Sequence, residues 1–142
     1  MRPDGYALLR LGQRPLGIFL EFDRGSMRPG RLRTKFAAYH RYRASARAER
    51  AYAGFPVILV VTVGPGPERR LAEAVRVVDR VQARPLAMLL TTPALLASAP
   101  GGPLGRVWRT AAAPTRHPLA GAIEVAGAGH PAGWLHPQEA MR

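Results

Sequence analysis

Three of the nine acidic residues of this 142-residue chain fall within its first twenty-three positions, and they precede its only lysine. The acids are Asp4, Glu21 and Asp23; the lysine is Lys35, and Tyr39 follows it by four residues. Carboxylate oxygens are the ligands that Mg²⁺ prefers, and an ammonium group stabilises the negative charge that develops on a phosphate during hydrolysis. The set therefore predicts a site for Mg²⁺ (or Mn²⁺) and a phosphodiester.

Each member of this set has an expected role. Asp4, Glu21 and Asp23 would hold the metal ion, which would polarise the phosphate and supply a hydroxide. Lys35 would stabilise the transition state, and Tyr39, one helical turn later, would bond a phosphate or order a water. The alternative is that the three carboxylates only pair with surface arginines nearby, and spacing alone does not separate the two readings.

A β-hairpin is the element that must bring the acids together. Residues 6–11 and 16–22 are predicted to be its strands, joined by a turn at residues 12–15. Glu21 and Asp23 would then share one face of the second strand, and Phe22 between them would point into the core. Because the strands are antiparallel, Asp4 at the start of the first would lie near the end of the second.

The rest of the chain alternates helices and strands. We predict a helix over 31–53, a buried strand over 57–63, a turn at 64–67, a helix over 68–83, a strand over 86–90 and a short helix over 93–98. This order predicts an α/β fold with a central mixed β-sheet flanked by helices. Residues 1–99 are the predicted core, and 100–142, where 13 of 43 residues are Gly or Pro, the predicted C-terminal extension of partly irregular structure.

The formal charge of +12 predicts a polyanionic partner. No apolar run approaches the roughly 20 residues needed to span a bilayer, which argues against a membrane. The absence of cysteine excludes disulfides and thiolate metal sites and suits the cytoplasm. The arginines expected to contact nucleic acid surround the second strand and the first helix: Arg24, Arg28, Arg31, Arg33, Arg41, Arg43 and Arg47.

These motifs resemble the replication-relaxation family of plasmid and mobile-element proteins. The resemblance runs from Pro3-Asp4 through Phe19-Leu20-Glu21-Phe22-Asp23-Arg24-Gly25 to Lys35 and Tyr39, and on to about residue 90. The C-terminal domain of that family resembles the PD-(D/E)XK nuclease fold, which implies a restriction-endonuclease-like sheet with Asp4 and Glu21 as metal carboxylates. Family members usually carry an N-terminal winged-helix region, so this chain is expected to be either an isolated C-terminal domain or a shortened relative.

The resemblance implies DNA as partner and leaves the activity open. Where the nuclease superfamily usually has lysine, two residues after the glutamate, this chain has Asp23, so Lys35 would act from the helix instead. The chain is therefore either a magnesium-dependent nuclease or a catalytically silent DNA-binding or scaffold domain. A homo-oligomer or a protein partner in a replication complex is a third expectation. His117, His130 and His136 are widely spaced, and we expect surface positions rather than a zinc site.

Overall fold

Strands and helices alternate along most of the chain. The computed structural model describes residues 2–11, 14–52 and 54–127, and His130 and His136 lie outside this part. Its elements are, in order, β1 (Gly5–Leu11), β2 (Arg14–Asp23), α1 (Pro29–Arg43), α2 (Ala46–Ala51), β3 (Val57–Thr62), α3 (Pro65–Asp79), β4 (Met88–Thr91), α4 (Pro93–Ser98), a 3₁₀ turn (Gly102–Leu104) and α5 (Leu119–Ala126).

The four strands form one mixed sheet in the order β1-β2-β3-β4. The strand β1 is antiparallel to β2, whereas β2, β3 and β4 are mutually parallel. The carboxyl ends of the three parallel strands therefore lie along one side of the sheet, which we call the carboxyl edge. The strands β2, β3 and β4 end there at Asp23, Thr62 and Thr91. The predicted α/β fold with a mixed sheet and flanking helices is confirmed.

Helices α1 and α3 cover one face of the sheet, the helical face. Alternate strand residues point into this layer, among them Phe19 of β2 and Val60 of β3. Buried side chains of both helices meet them there: Leu32, Phe36, Tyr39, Leu71, Val75 and Val78. Burial of this many large apolar side chains is the main favourable contribution to stability, at about 1.5–3 kcal/mol for each one that is fully buried.

The opposite face, the back face, is covered by the chain after residue 106. Leu16 and Ile18 of β2 and Leu59 of β3 pack there against Trp108 and Ile123. Arg109 also forms an isolated antiparallel bridge with Leu90 of β4, while Trp108 bridges to His117. Much of the segment that follows residue 100 is thus packed onto the sheet, while residues 128–142 of the predicted extension lie outside the described part of the chain.

The single helix predicted over 31–53 is wrong, because the structure divides it into α1 and α2. The side chain of Ser45 makes the break. Its hydroxyl donates to the carbonyl of Tyr42 at 2.6 Å and accepts from the backbone N–H of Ala48 at 3.2 Å. Ser45 is therefore the N-cap of α2, a position at which serine is favoured for this reason.

Two further expectations also fail. Phe22 does not point into the core: it is 61% exposed, because the cover of the back face does not extend to the end of β2. The predicted turn at residues 64–67 is instead the start of α3, whose first helical residue is Pro65. Proline suits that position since the first turn of a helix has no use for its missing N–H.

A polar contact joins α1 and α3 at the end of the helices far from the carboxyl edge. His40 Nε2 lies 2.7 Å from Asp79 Oδ1, and His40 is almost fully buried. Arg43 holds the other side of the ring, with its guanidinium 3.1 Å from His40 Nδ1, and donates to the carbonyls of Arg84 and Pro85. This contact fixes how the two helices lie against each other.

None of the described helices is both long and apolar enough to cross a membrane.

Candidate functional site

The predicted site residues lie at the carboxyl edge. Glu21 and Asp23 end β2, and Asp4 precedes β1, whose register pairs Gly5 with Leu20. Asp4 is therefore the neighbour of Glu21 across the two strands. In open α/β sheets, ligands bind outside the carboxyl ends of the strands, so the position agrees with a functional role.

Glu21 is the centre of the arrangement. It is 3% exposed, on the helical face beneath α1. Lys35 Nζ lies 2.7 Å from its Oε2, and the Tyr39 hydroxyl donates to its Oε1. Lys35 and Tyr39 are four residues apart and so lie one above the other on one side of α1. The helix thus brings one cation and one neutral donor onto a single buried carboxylate.

Tyr39 is fully buried, and this determines its chemistry. Burial raises the pKa of Tyr39 far above its ordinary value, and the hydrogen bond to Glu21 and the negative charges of Glu21 and Asp4 raise it further. At neutral pH the side chain is therefore a phenol that donates to Glu21. It is neither a general base nor an activated nucleophile, and its contribution is to orient the carboxylate.

The other two predicted carboxylates hold backbone and side-chain groups of the strands. Asp4 Oδ2 accepts the backbone N–H of Phe22 at 2.8 Å, which ties the start of β1 to the end of β2. Asp23 Oδ2 accepts the hydroxyl of Thr62 at 2.7 Å, between β2 and β3. The structure therefore brings Glu21, Lys35 and Tyr39 together, with Asp4 beside them, and places Asp23 against Thr62.

The donor set can be compared with what a divalent metal ion requires. In the described part of the chain, no three His, Asp or Glu side chains are gathered closely enough to hold an ion. Asp4 and Glu21 offer hard oxygens of the kind that Mg²⁺ takes, and Mg²⁺ commonly binds one or two carboxylates with water and phosphate as its other ligands. Each carboxylate oxygen has two lone pairs, so the contacts to Lys35 and Tyr39 do not exhaust Glu21. Asp4 and Glu21 are therefore chemically suitable ligands for Mg²⁺.

The predicted DNA-contacting arginines divide by position. The exposed Arg24, Arg28, Arg31 and Arg33 occupy the loop after β2 and the first two turns of α1, beside the carboxyl edge. The exposed Arg41 and Arg47 lie toward the other end of α1 and on α2. Arg43 is instead half-buried in the contact with His40. Burial lowers its pKa, and the positive charge of Arg84 lowers it further.

Sequence reasoning missed a second buried ion pair farther along the carboxyl edge. Glu68, in the first turn of α3, is buried, and both its oxygens accept hydrogen bonds from Arg116, at 2.9 and 2.5 Å. The same guanidinium donates to the carbonyls of Leu90 and Val107. Because 48 residues separate the partners, no local pattern could have revealed the pair. An acid in the first turn of a helix was the only available signal.

The comparison with known families concerns the part of the chain that holds the candidate site. A family model described as Replication-relaxation matches residues 1–58, a stretch that contains all five predicted site residues and ends within β3. The predicted resemblance to this family is confirmed over these residues, which are fewer than half of the 142. No curated protein and no solved structure matches the chain. The resemblance to the PD-(D/E)XK nuclease fold stays a prediction.

Proposed function

We propose that this chain is a DNA-acting domain of the replication-relaxation type, which binds DNA along its carboxyl edge. The observation that carries the proposal is that the stretch matched by the family model, residues 1–58, is also the stretch that holds the candidate site and its arginines. Between positions 24 and 50 there are nine arginines and lysines and one acid, Glu49. A positively charged surface raises the local concentration of a polyanion such as DNA at the site.

The arrangement of charge supports contact with the phosphate backbone rather than with bases. Arg24, Arg28, Arg31 and Arg33 project from a loop and a helix start that flank the Glu21–Lys35 pair. Phosphate contacts position a nucleic acid without reading its sequence. Binding should therefore weaken steeply with salt, since each neutralised phosphate releases counterions.

A DNA-binding assay at several salt concentrations tests this proposal. We expect the wild type to bind a duplex or a single strand with a steep negative slope of log affinity against log salt. Replacing both Arg24 and Arg28 by alanine should reduce that slope by about 2, or one per lost phosphate contact. The control is Arg80→Ala, which removes one exposed arginine directly after the last residue of α3, at the end of that helix far from the carboxyl edge, and should leave the slope unchanged. Equal losses in all variants, or no binding by the wild type, would contradict the proposal.

A second candidate function, magnesium-dependent phosphodiester hydrolysis, is supported by the 2.7 Å contact between Lys35 and Glu21 with Asp4 beside it. Asp4 and Glu21 would hold the ion, which when bound supplies a polarised phosphate and an activated water. Lys35 has three N–H donors, so it can keep its bond to Glu21 and still direct one donor at a phosphate oxygen. Tyr39 fixes the orientation of Glu21.

Calorimetry with Mg²⁺ or Mn²⁺ and a plasmid nicking assay separate this activity from a catalytically silent DNA-binding domain. A nuclease should bind the ion, and Glu21→Gln should lose both ion binding and nicking while preserving the shape of the side chain. Lys35→Ala should abolish nicking, and Glu124→Gln, an exposed acid on α5, should change neither property. If the wild type binds DNA but neither binds the metal ion nor cleaves the DNA, the chain is the catalytically silent domain.

A further inference from the structure

Phe22 is an exposed aromatic side chain at the carboxyl edge, and the functions proposed above do not use it. It lies between Glu21 and Asp23 in sequence but on the back face of the sheet, and 61% of it is exposed. The apolar cover formed by residues 107–123 does not reach it. A phenylalanine that is exposed to water beside a candidate DNA site suits a ligand that can stack on its ring.

The backbone of Phe22 is held firmly. The register pairs it with Val61 of the buried strand β3, and its N–H donates to Asp4 at 2.8 Å. The same Asp4 lies beside Glu21. The backbone of Phe22 and that of Glu21 therefore belong to one ordered segment. A ligand that contacts both side chains would lose little binding free energy to ordering of the protein backbone.

The chemistry of the surroundings indicates which ligand fits. Arg24 is exposed two residues after Phe22, and Lys35 is partly exposed on the other side of β2. Cationic side chains that follow a backbone, combined with an aromatic ring on which a base can stack, are the two parts of a single-strand binding surface. In a duplex both faces of every base are already covered by neighbours, so a lone ring at a sheet edge can take only an unstacked base.

The small size of the apolar surface argues against a protein partner. Besides Phe22, the neighbouring exposed apolar residue at this edge is Val63, which directly follows β3. A stable protein interface buries about 800 Å² on each partner, far more than these two side chains present. A single nucleobase needs only one ring.

We infer that Phe22 is a stacking platform for a base of single-stranded DNA whose backbone runs across the carboxyl edge toward Lys35. This assignment rests on the proposed DNA-binding function and adds the class of substrate to it. One nucleotide would stack on the back-face side of the end of β2, and a neighbouring phosphate would meet the cations on the helical-face side.

The test compares a labelled single strand of about 12 nucleotides, within the usual site size for such surfaces, with its duplex at one salt concentration. We expect Phe22→Ala to weaken single-strand binding about tenfold or more and to change duplex binding less than about twofold. Phe22→Leu should behave like alanine, because it keeps apolar volume but has no ring. Phe22→Trp should retain single-strand affinity, and the emission of its new indole should be quenched when the strand binds. Val81→Ala, which trims an exposed apolar residue just after α3, is the control.

The outcomes are distinguishable. If the wild type binds DNA with a steep salt dependence but Phe22→Ala binds both forms as the wild type does, the platform is refuted and the DNA-binding proposal stands. If Phe22→Ala weakens both forms equally, the platform is also refuted, since stacking should favour the single strand. If the wild type binds neither form, both proposals fail together.

Discussion

The ammonium of Lys35 lies 2.7 Å from the carboxylate of Glu21, although 14 residues separate them. One partner ends a strand of the sheet and the other lies in the second turn of α1. The glutamate is nearly inaccessible to water, whereas about a third of the lysine side chain is exposed. The pair therefore clamps the helix to the sheet and still presents a positive charge at the edge where we propose that DNA binds.

Lys35→Met should destabilise the fold, because it leaves Glu21 buried with only Tyr39 as a side-chain donor. We expect a loss of roughly 1–3 kcal/mol in the free energy of unfolding, measured by urea denaturation, with the exposure of Lys35 favouring the lower part of that range. Combining it with Glu21→Gln should recover part of the loss, because the buried charge is then gone. Additive losses in the double variant would show that the two groups are not coupled.

Tyr39→Phe should change how stability depends on pH. Because burial raises the folded-state pKa of Tyr39 above its ordinary value of about 10, the folded protein keeps a proton that the unfolded chain loses. The associated stability is complete below about pH 10 and declines above it, by about 1.4 kcal/mol per pH unit for one proton. Urea denaturation between about pH 10 and 11.5 should therefore show a shallower decline in Tyr39→Phe than in the wild type. Identical slopes would contradict a buried, protonated phenol.

Arg116→Ala should be among the most destabilising single changes in the protein. It leaves the Glu68 carboxylate buried without the cation that satisfies both of its oxygens, and it removes donors from two carbonyls. We expect a loss of roughly 2–4 kcal/mol by urea denaturation, since the guanidinium itself is a quarter exposed. The control is Glu73→Gln, which breaks an exposed ion pair with Arg76 and should leave the denaturation midpoint unchanged. A comparable shift in both variants would refute the distinction.

Gly25→Ala should destabilise the loop between β2 and α1. Gly25 has a φ of +77°, and a Cβ placed there would lie 2.9 Å from Pro67 Cγ and 3.0 Å from Val63 Cγ2. Backbone strain and overlap together should cost about 1–3 kcal/mol in thermal or urea unfolding. Gly121→Ala is the opposite case: it lies within α5, where a Cβ meets nothing within 4 Å, and it should stabilise by about 0.5–1 kcal/mol. A neutral Gly25→Ala would mean that the loop can relax.

Several elements could be predicted because their signals are local. The apolar, β-branched run of β3 and the Pro93 start of α4 are complete within a few residues, and the structure has them where they were expected. The break between α1 and α2 was missed because alanine and arginine favour a helix throughout that stretch. The signal that decides it is the single hydroxyl of Ser45, which acts on both helix ends at once.

The candidate site shows where prediction from sequence stops. The proximity of Glu21, Lys35 and Tyr39 follows from the spacing of Lys35 and Tyr39 and from the packing of α1 on β2. The exposure of Phe22 does not, since alternation along a strand assigns its side chain to a face but cannot say how far the cover of that face extends. The hydrogen-bond partners of Asp23 and Glu68 could not be predicted from the sequence either, because Thr62 and Arg116 lie in distant segments that only the folded sheet brings close.

The stretch matched by the family model ends at Ile58, at the second residue of β3. A fragment cut there would contain every candidate site residue but would lack α3 and β4, whose apolar side chains form much of the core against α1. Phe36 and Tyr39 would then face water, and nothing would hold Lys35 above Glu21. The residues that the family model matches are thus not expected to fold by themselves, because α3 and β4 complete the core on which α1 packs.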